Sequence, residues 1–70
     1  RSFELGEGDS VRTDFYLQCG WKPVRAYVDG SKKRRGPQDD WQPKFDGYRW
    51  FVRFAVAPGA VDIDCDATEV

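Results

Sequence analysis

The sequence predicts an all-β fold, a small antiparallel sandwich of two sheets that is immunoglobulin-like in its general architecture. Three observations lead to this prediction. Apolar and polar residues alternate with a period of two in four segments, which is typical of strands with one buried face. No segment shows the spacing of an amphipathic helix. The chain has 70 residues and two cysteines, and a single small domain, 1–70, has so little core that a disulfide bond would stabilise it.

The alternation places the predicted strands along the chain. A short first strand surrounds Phe3 and Leu5 and ends in the glycine-containing turn of residues 6–9. The four alternating segments follow it, at residues 10–19, 23–28, 48–56 and 61–67. In each of them one phase is mainly apolar and the other mainly polar, so we expect each strand to have an inward and an outward face.

Residues 57–60, Ala-Pro-Gly-Ala, are typical of a tight turn. Proline presets φ at the first central position, and glycine accepts a positive φ at the second. We therefore predict that segments 48–56 and 61–67 form an antiparallel hairpin. Its register matches apolar with apolar and arginine with aspartate across the two strands: Val52 faces Cys65, and Arg53 faces Asp64.

The two cysteines, Cys19 and Cys65, lie too far apart for a redox CxxC motif. Both fall on the inward phase of predicted strands, so we predict a disulfide bond between them. A bridge that closes such a loop contributes about 2–4 kcal/mol. Small disulfide-bonded domains are typical of oxidising compartments, which indicates a secreted, extracellular protein.

Cysteines on facing strands of a small sandwich resemble those of immunoglobulin-like domains. The chain departs from that pattern at Ile63, where those domains have tyrosine, and at Trp21, which lies too close to Cys19. The segment 54–59, Phe-Ala-Val-Ala-Pro-Gly, is similar to a segment of the small secreted α-amylase inhibitors, but the chain lacks the four-cysteine framework of that family.

Residues 29–47 are predicted to be a long loop with a short edge strand near Trp41, because they contain prolines, glycines and a run of charges. Loops of this length are often functional. Basic residues next to aromatic ones suit a protein partner with an acidic surface, since charge steers association and a buried aromatic anchors it. The candidate binding residues are Lys32, Lys33, Arg34, Arg35, Trp41 and Phe45.

Two alternatives to this binding site are open at this point. The basic run can be a solvated loop tip that keeps a sheet edge from pairing. The aromatic residues can belong to a carbohydrate-binding module, in which Trp41 stacks on a sugar ring together with Phe45 or Phe51. For Tyr48 and Trp50, which lie on the apolar phase of a strand, we predict a place in the core.

Composition argues against several classes of function. The chain contains no histidine, which excludes imidazole catalysis and histidine-ligated metals. The aspartates of the last segment, at 62, 64 and 66, are spaced like the start of an EF-hand loop, but Ala67 stands where the loop needs glycine. We therefore expect no enzyme activity, cofactor or metal. With a net charge of −1 we expect no nucleic-acid partner, and no apolar run is long enough to span a membrane.

Overall fold

The computed structural model of the protein describes residues 1–70 and confirms the all-β class, with seven strands and no helix. The strands are β1 (Ser2–Glu7), β2 (Asp14–Tyr16), β3 (Trp21–Val28), β4 (Ser31–Lys32), β5 (Trp41–Phe45), β6 (Trp50–Phe54) and β7 (Asp62–Glu69). Strand β1 lies where the residues around Phe3 and Leu5 predicted it.

The strands form two antiparallel sheets. Sheet 1 has the order β1-β7-β3-β4, and sheet 2 has the order β2-β6-β5. Inward-facing residues of both sheets form one core, as the period-two alternation predicts. The buried members of that core are Phe15, Leu17, Ala26, Trp41, Val52, Phe54, Ile63, Cys65 and Ala67.

The predicted hairpin of 48–56 and 61–67 is wrong. Strand β6 pairs with β2 and β5, whereas β7 pairs with β1 and β3, so the two segments lie in different sheets. Residues 55–61 cross from one sheet to the other and leave Val56 80% exposed. The partner of Arg53 is Asp14, at 2.9 Å, and not Asp64.

The predicted Cys19–Cys65 disulfide bond is also wrong, because both cysteines are free. Cys65 lies in the core, and burial raises the pKa of its thiol to about 12. Strand β2 ends at Tyr16, so Cys19 leaves the alternation and lies exposed in the turn before β3. Its thiol donates a hydrogen bond to the carbonyl oxygen of Tyr48, at 3.4 Å. Two residues that share the inward phase of predicted strands, such as Cys19 and Cys65, therefore need not lie opposite each other in the folded protein.

The predicted loop 29–47 contains two strands, β4 and β5. Asp29 and Gly30 have φ angles of 52° and 79°, as a type I′ turn requires, and they connect β3 to β4 in a tight hairpin. The edge strand that we predicted near Trp41 is confirmed as β5. Pro43 is tolerated there because an edge strand has one side without ladder hydrogen bonds.

Strand β3 contains two features that interrupt regular pairing. Pro23 pairs with Ala67 and Arg25 with Asp66, so Val24 is an extra residue that forms a β-bulge. The bulge shifts the alternation by one residue, which allows both Pro23 and Ala26 to face the core. Beyond the two residues that pair with β4, this stretch of β3 lies at the edge of sheet 1.

Candidate functional site

The segment after β4 connects the two sheets through backbone hydrogen bonds. The Lys33 amide donates to the Ala26 carbonyl of β3, at 2.9 Å. One residue further on, the carbonyl of Arg34 accepts a hydrogen bond from the Trp41 amide of β5, at 3.2 Å. Hydrogen bonds therefore hold the backbone of the basic run at both of its ends, while Lys32, Arg34 and Arg35 are exposed to solvent.

A cleft of about 670 Å³ lies between this segment and β3, and we call it the basic cleft. Such a volume lies within the range of known ligand sites, about 300–1,000 Å³. Five of its seven lining residues are cationic. The lining residues are Val24, Arg25, Lys32, Lys33, Arg34, Arg35 and Trp41.

The cations of the basic cleft differ in their pairing. Arg25 lies 3.6 Å from Asp66, and Arg34 lies 3.6 Å from Asp39. Lys32, Lys33 and Arg35 have no carboxylate within 4 Å. Because three of the positive charges in the cleft lack an internal counter-ion, the cleft presents a concentrated positive potential to solvent. The sequence prediction thus selected residues that the fold brings together.

Trp41 lines the cleft but does not project into solvent. Its side chain is 1% exposed and belongs to the core, and its indole N–H donates a hydrogen bond to the Lys33 carbonyl at 3.2 Å. The expectation that Trp41 is an exposed aromatic anchor is therefore wrong. Its flanking residues are polar, but their side chains point away from the sandwich, and strand alternation turns Trp41 inward. Trp41 therefore contributes to the wall of the cleft from the side of the core.

Phe45 lies at the other end of β5 and does not line the basic cleft. It is 54% exposed and packs against Trp50, with ring centroids 5.2 Å apart. Tyr48, which the alternation placed in the core, is instead exposed in the turn between β5 and β6. Of the predicted binding residues, the fold therefore separates Phe45 from the others, which all line the basic cleft.

Phe51 points outward from sheet 2 and is nevertheless buried. The ring of Tyr16 covers it, with centroids 4.6 Å apart, and the Arg53 guanidinium lies 5.2 Å from its ring. The sugar-stacking alternative named Trp41, Phe45 and Phe51. Two of these three rings are covered by the protein itself, so they offer no free face to a sugar.

The opposite edge of sheet 1 is acidic. Glu4 and Glu7 on β1 and Asp62 and Asp64 on β7 line a groove of about 340 Å³, which we call the acidic edge. No cation lies within 4 Å of any of these carboxylates, and no group of three or more acidic or cysteine side chains is arranged to hold a metal ion. Although the net charge is only −1, positive and negative side chains are thus concentrated on opposite sides of sheet 1.

A second cavity next to the basic cleft was not predicted from the sequence. It has a volume of about 230 Å³, and we call it the apolar groove. Most of its lining is apolar, and its residues include Val28, Lys33, Asp40, Phe54, Val56 and Pro58. Val56, at the groove, is apolar and yet 80% exposed.

No helix of the protein has the length and apolar character needed to cross a membrane. Neither a protein family model, a curated protein sequence nor a solved structure matches the chain. Arguments about its function therefore depend on its own residues.

Proposed function

We propose that the chain is a non-catalytic, secreted recognition module, immunoglobulin-like in its general arrangement, that binds the acidic surface of a partner protein in the basic cleft. One observation carries this proposal. Lys32, Lys33 and Arg35 lie together in a cleft without an internal carboxylate partner. A fixed array of uncompensated cations costs stability through mutual repulsion, and an anionic partner relieves that cost.

The charge distribution supports fast and oriented association. The basic cleft lies on the β3–β4 side of sheet 1, and the acidic edge lies on its β1–β7 side. An approaching acidic surface is attracted by the first and repelled by the second, so the molecule turns its cleft toward the partner before contact. This steering acts mainly on the association rate and is weakened by salt.

Secretion was inferred from a disulfide bond that the structure does not contain. It stays a prediction without support from the cysteines.

The test uses an oligoglutamate peptide as a minimal acidic protein surface and a heparin oligosaccharide as a sulfated glycan. We expect the peptide to bind the wild-type protein. Replacing Lys32, Lys33 and Arg35 with serine should weaken binding about tenfold, since exposed ion pairs each contribute roughly 0.5 kcal/mol. The loss should shrink in 1 M salt, where the Debye length falls to about 3 Å. Isothermal titration calorimetry measures both effects.

The matched control replaces Lys22, Lys44 and Arg49 with serine, which removes the same charge outside the cleft. It should bind the peptide nearly as well as wild type. An equal loss in the control would mean that net charge, and not the cleft, controls binding. Binding of the oligosaccharide alone would make the protein a glycan-binding module, and binding of neither probe would refute the proposal.

A further inference from the structure

The basic cleft and the apolar groove are adjacent cavities. Lys33 lines both of them, so they meet at this residue. A ligand that lies along the cleft and continues past Lys33 therefore passes from a cationic environment into an apolar one. Val56 at the groove is 80% exposed although it is apolar.

The walls of the apolar groove are fixed by backbone hydrogen bonds. The Ala55 amide donates to the Asp40 carbonyl at 2.9 Å, and the Pro58 carbonyl accepts from the Ser10 amide at 2.8 Å. Gly8 packs so closely against the backbone of Pro58 and Gly59 that a β-carbon at this position would collide with it. Because the groove is formed before a ligand arrives, binding does not have to order it.

We propose that the apolar groove receives one apolar side chain of the partner segment whose carboxylates bind in the basic cleft. This inference rests on the proposed function and names the partner chemistry: an acidic stretch next to a large apolar residue. The groove, at about 230 Å³, accommodates a single side chain rather than a folded element.

Asp40 bears on which of the two cavities suits each feature of the ligand. Its carboxylate accepts a hydrogen bond from the Arg34 amide at 3.0 Å, and Asp40 also lines the groove. The groove is lined by one cation, Lys33, and one anion, Asp40, so it lacks the excess of positive charge that attracts carboxylates to the basic cleft. Charge complementarity thus directs the acidic residues to Lys32 and Lys33 and the apolar residue to the groove.

The experiment compares an oligoglutamate peptide with the same peptide extended by one leucine. We expect the leucine peptide to bind the wild-type protein about tenfold more tightly, which is the effect of burying one large aliphatic side chain. In the Val56→Ser variant we expect this advantage to fall to about threefold or less. Fluorescence anisotropy of labelled peptides gives the affinity ratio directly.

Val11→Ser is the matched control, because Val11 is 81% exposed, as Val56 is at 80%, but does not line the groove. It should keep the full leucine advantage. Equal affinities of the two peptides for wild type, or an equal loss in both variants, would overturn this inference while leaving the proposed function intact. Failure of both peptides to bind would refute the proposed function together with it.

Discussion

Three arginines in and beside sheet 2 differ from the unpaired cations of the basic cleft, because each of the three has a partner within the protein. On sheet 2, Arg53 makes two hydrogen bonds to the Asp14 carboxylate, at 2.9 and 3.0 Å. Arg12 and Arg49 lie over the rings of Phe15 and Tyr16, at 4.3 and 4.5 Å. In the basic cleft, Lys32, Lys33 and Arg35 have no such partners. These three arginines therefore stabilise the fold, whereas the cations of the basic cleft remain available to a ligand.

The two cysteines also differ, because one is buried and the other is exposed. The largest effect that we expect is the difference between their rates of alkylation. Cys65 is buried and its pKa is raised to about 12, whereas Cys19 is exposed. Because the thiolate is the reactive species, we expect an alkylating reagent to modify Cys19 quickly and Cys65 only after unfolding. Intact-mass analysis over time measures this. Equal labelling rates in native buffer, or a mass that shows a disulfide bond, would contradict the structure.

Trp41 tests whether a residue that lines the cleft belongs to the fold or to the ligand. Because its side chain is 1% exposed and packs in the core, Trp41→Ala should lower the free energy of unfolding by about 3–5 kcal/mol. Denaturant unfolding followed by circular dichroism gives this value. A variant that keeps wild-type stability but loses peptide binding would instead make Trp41 a binding anchor, as the sequence suggested.

Acid should weaken the paired region of sheet 2. The hydrogen bonds from Arg53 lower the pKa of Asp14 below its ordinary value of 3.8. The stabilising contribution of this carboxylate is thus fully present above pH 3.8 and is lost as the pH falls through the lowered, folded-state pKa. We expect Asp14→Asn to be less stable than wild type at neutral pH, and the difference to close in acid.

Asp29→Asn is the control for this pH series, since the Asp29 side chain makes no hydrogen bond or ion pair. Its stability should stay close to that of wild type throughout. If Asp14→Asn follows the wild-type acid unfolding curve, then the ion pair with Arg53 does not stabilise the protein.

The smallest effect on stability is expected in the cleft itself. Replacing Lys32, Lys33 and Arg35 with serine should change the free energy of unfolding by no more than about 0.5 kcal/mol per residue, with stabilisation the favoured direction because repulsion is removed. Thermal unfolding at low salt measures this. A large destabilisation would show that these cations, like Arg53, are used for the fold.

Strand positions followed from the sequence where one face is buried, because the alternation of β2 and β7 reports burial directly, whereas in β6 both Phe51 and Val52 are buried. The pairing of the strands, by contrast, could not be predicted from the sequence. The apolar match of Val52 with Cys65 holds equally well across the core, between facing sheets, as it does within a hairpin. Arg53 likewise finds an aspartate on β2 as readily as on the last strand. Local matching cannot distinguish neighbours in a sheet from neighbours across a sandwich.

The basic part of the candidate site could be predicted because four adjacent cations are visible in any sequence. The aromatic part could not, since the burial of Trp41 depends on which strand lies beside β5. The Asp29-Gly30 turn was readable, as Asp-Gly is a strong signal for a type I′ hairpin. The charged residues after it do not alternate, which hid the short partner strand β4.

The Pro23 and Val24 irregularity of β3 has a consequence for solubility. An exposed sheet edge with regular N–H and C=O groups recruits strands from other molecules and leads to aggregation. Pro23 has no N–H to offer, and the bulge at Val24 disturbs the spacing that a foreign strand would need. A protein with a net charge of only −1 has little overall repulsion to keep its copies apart. We therefore expect this interrupted edge to keep the protein dispersed at high concentration.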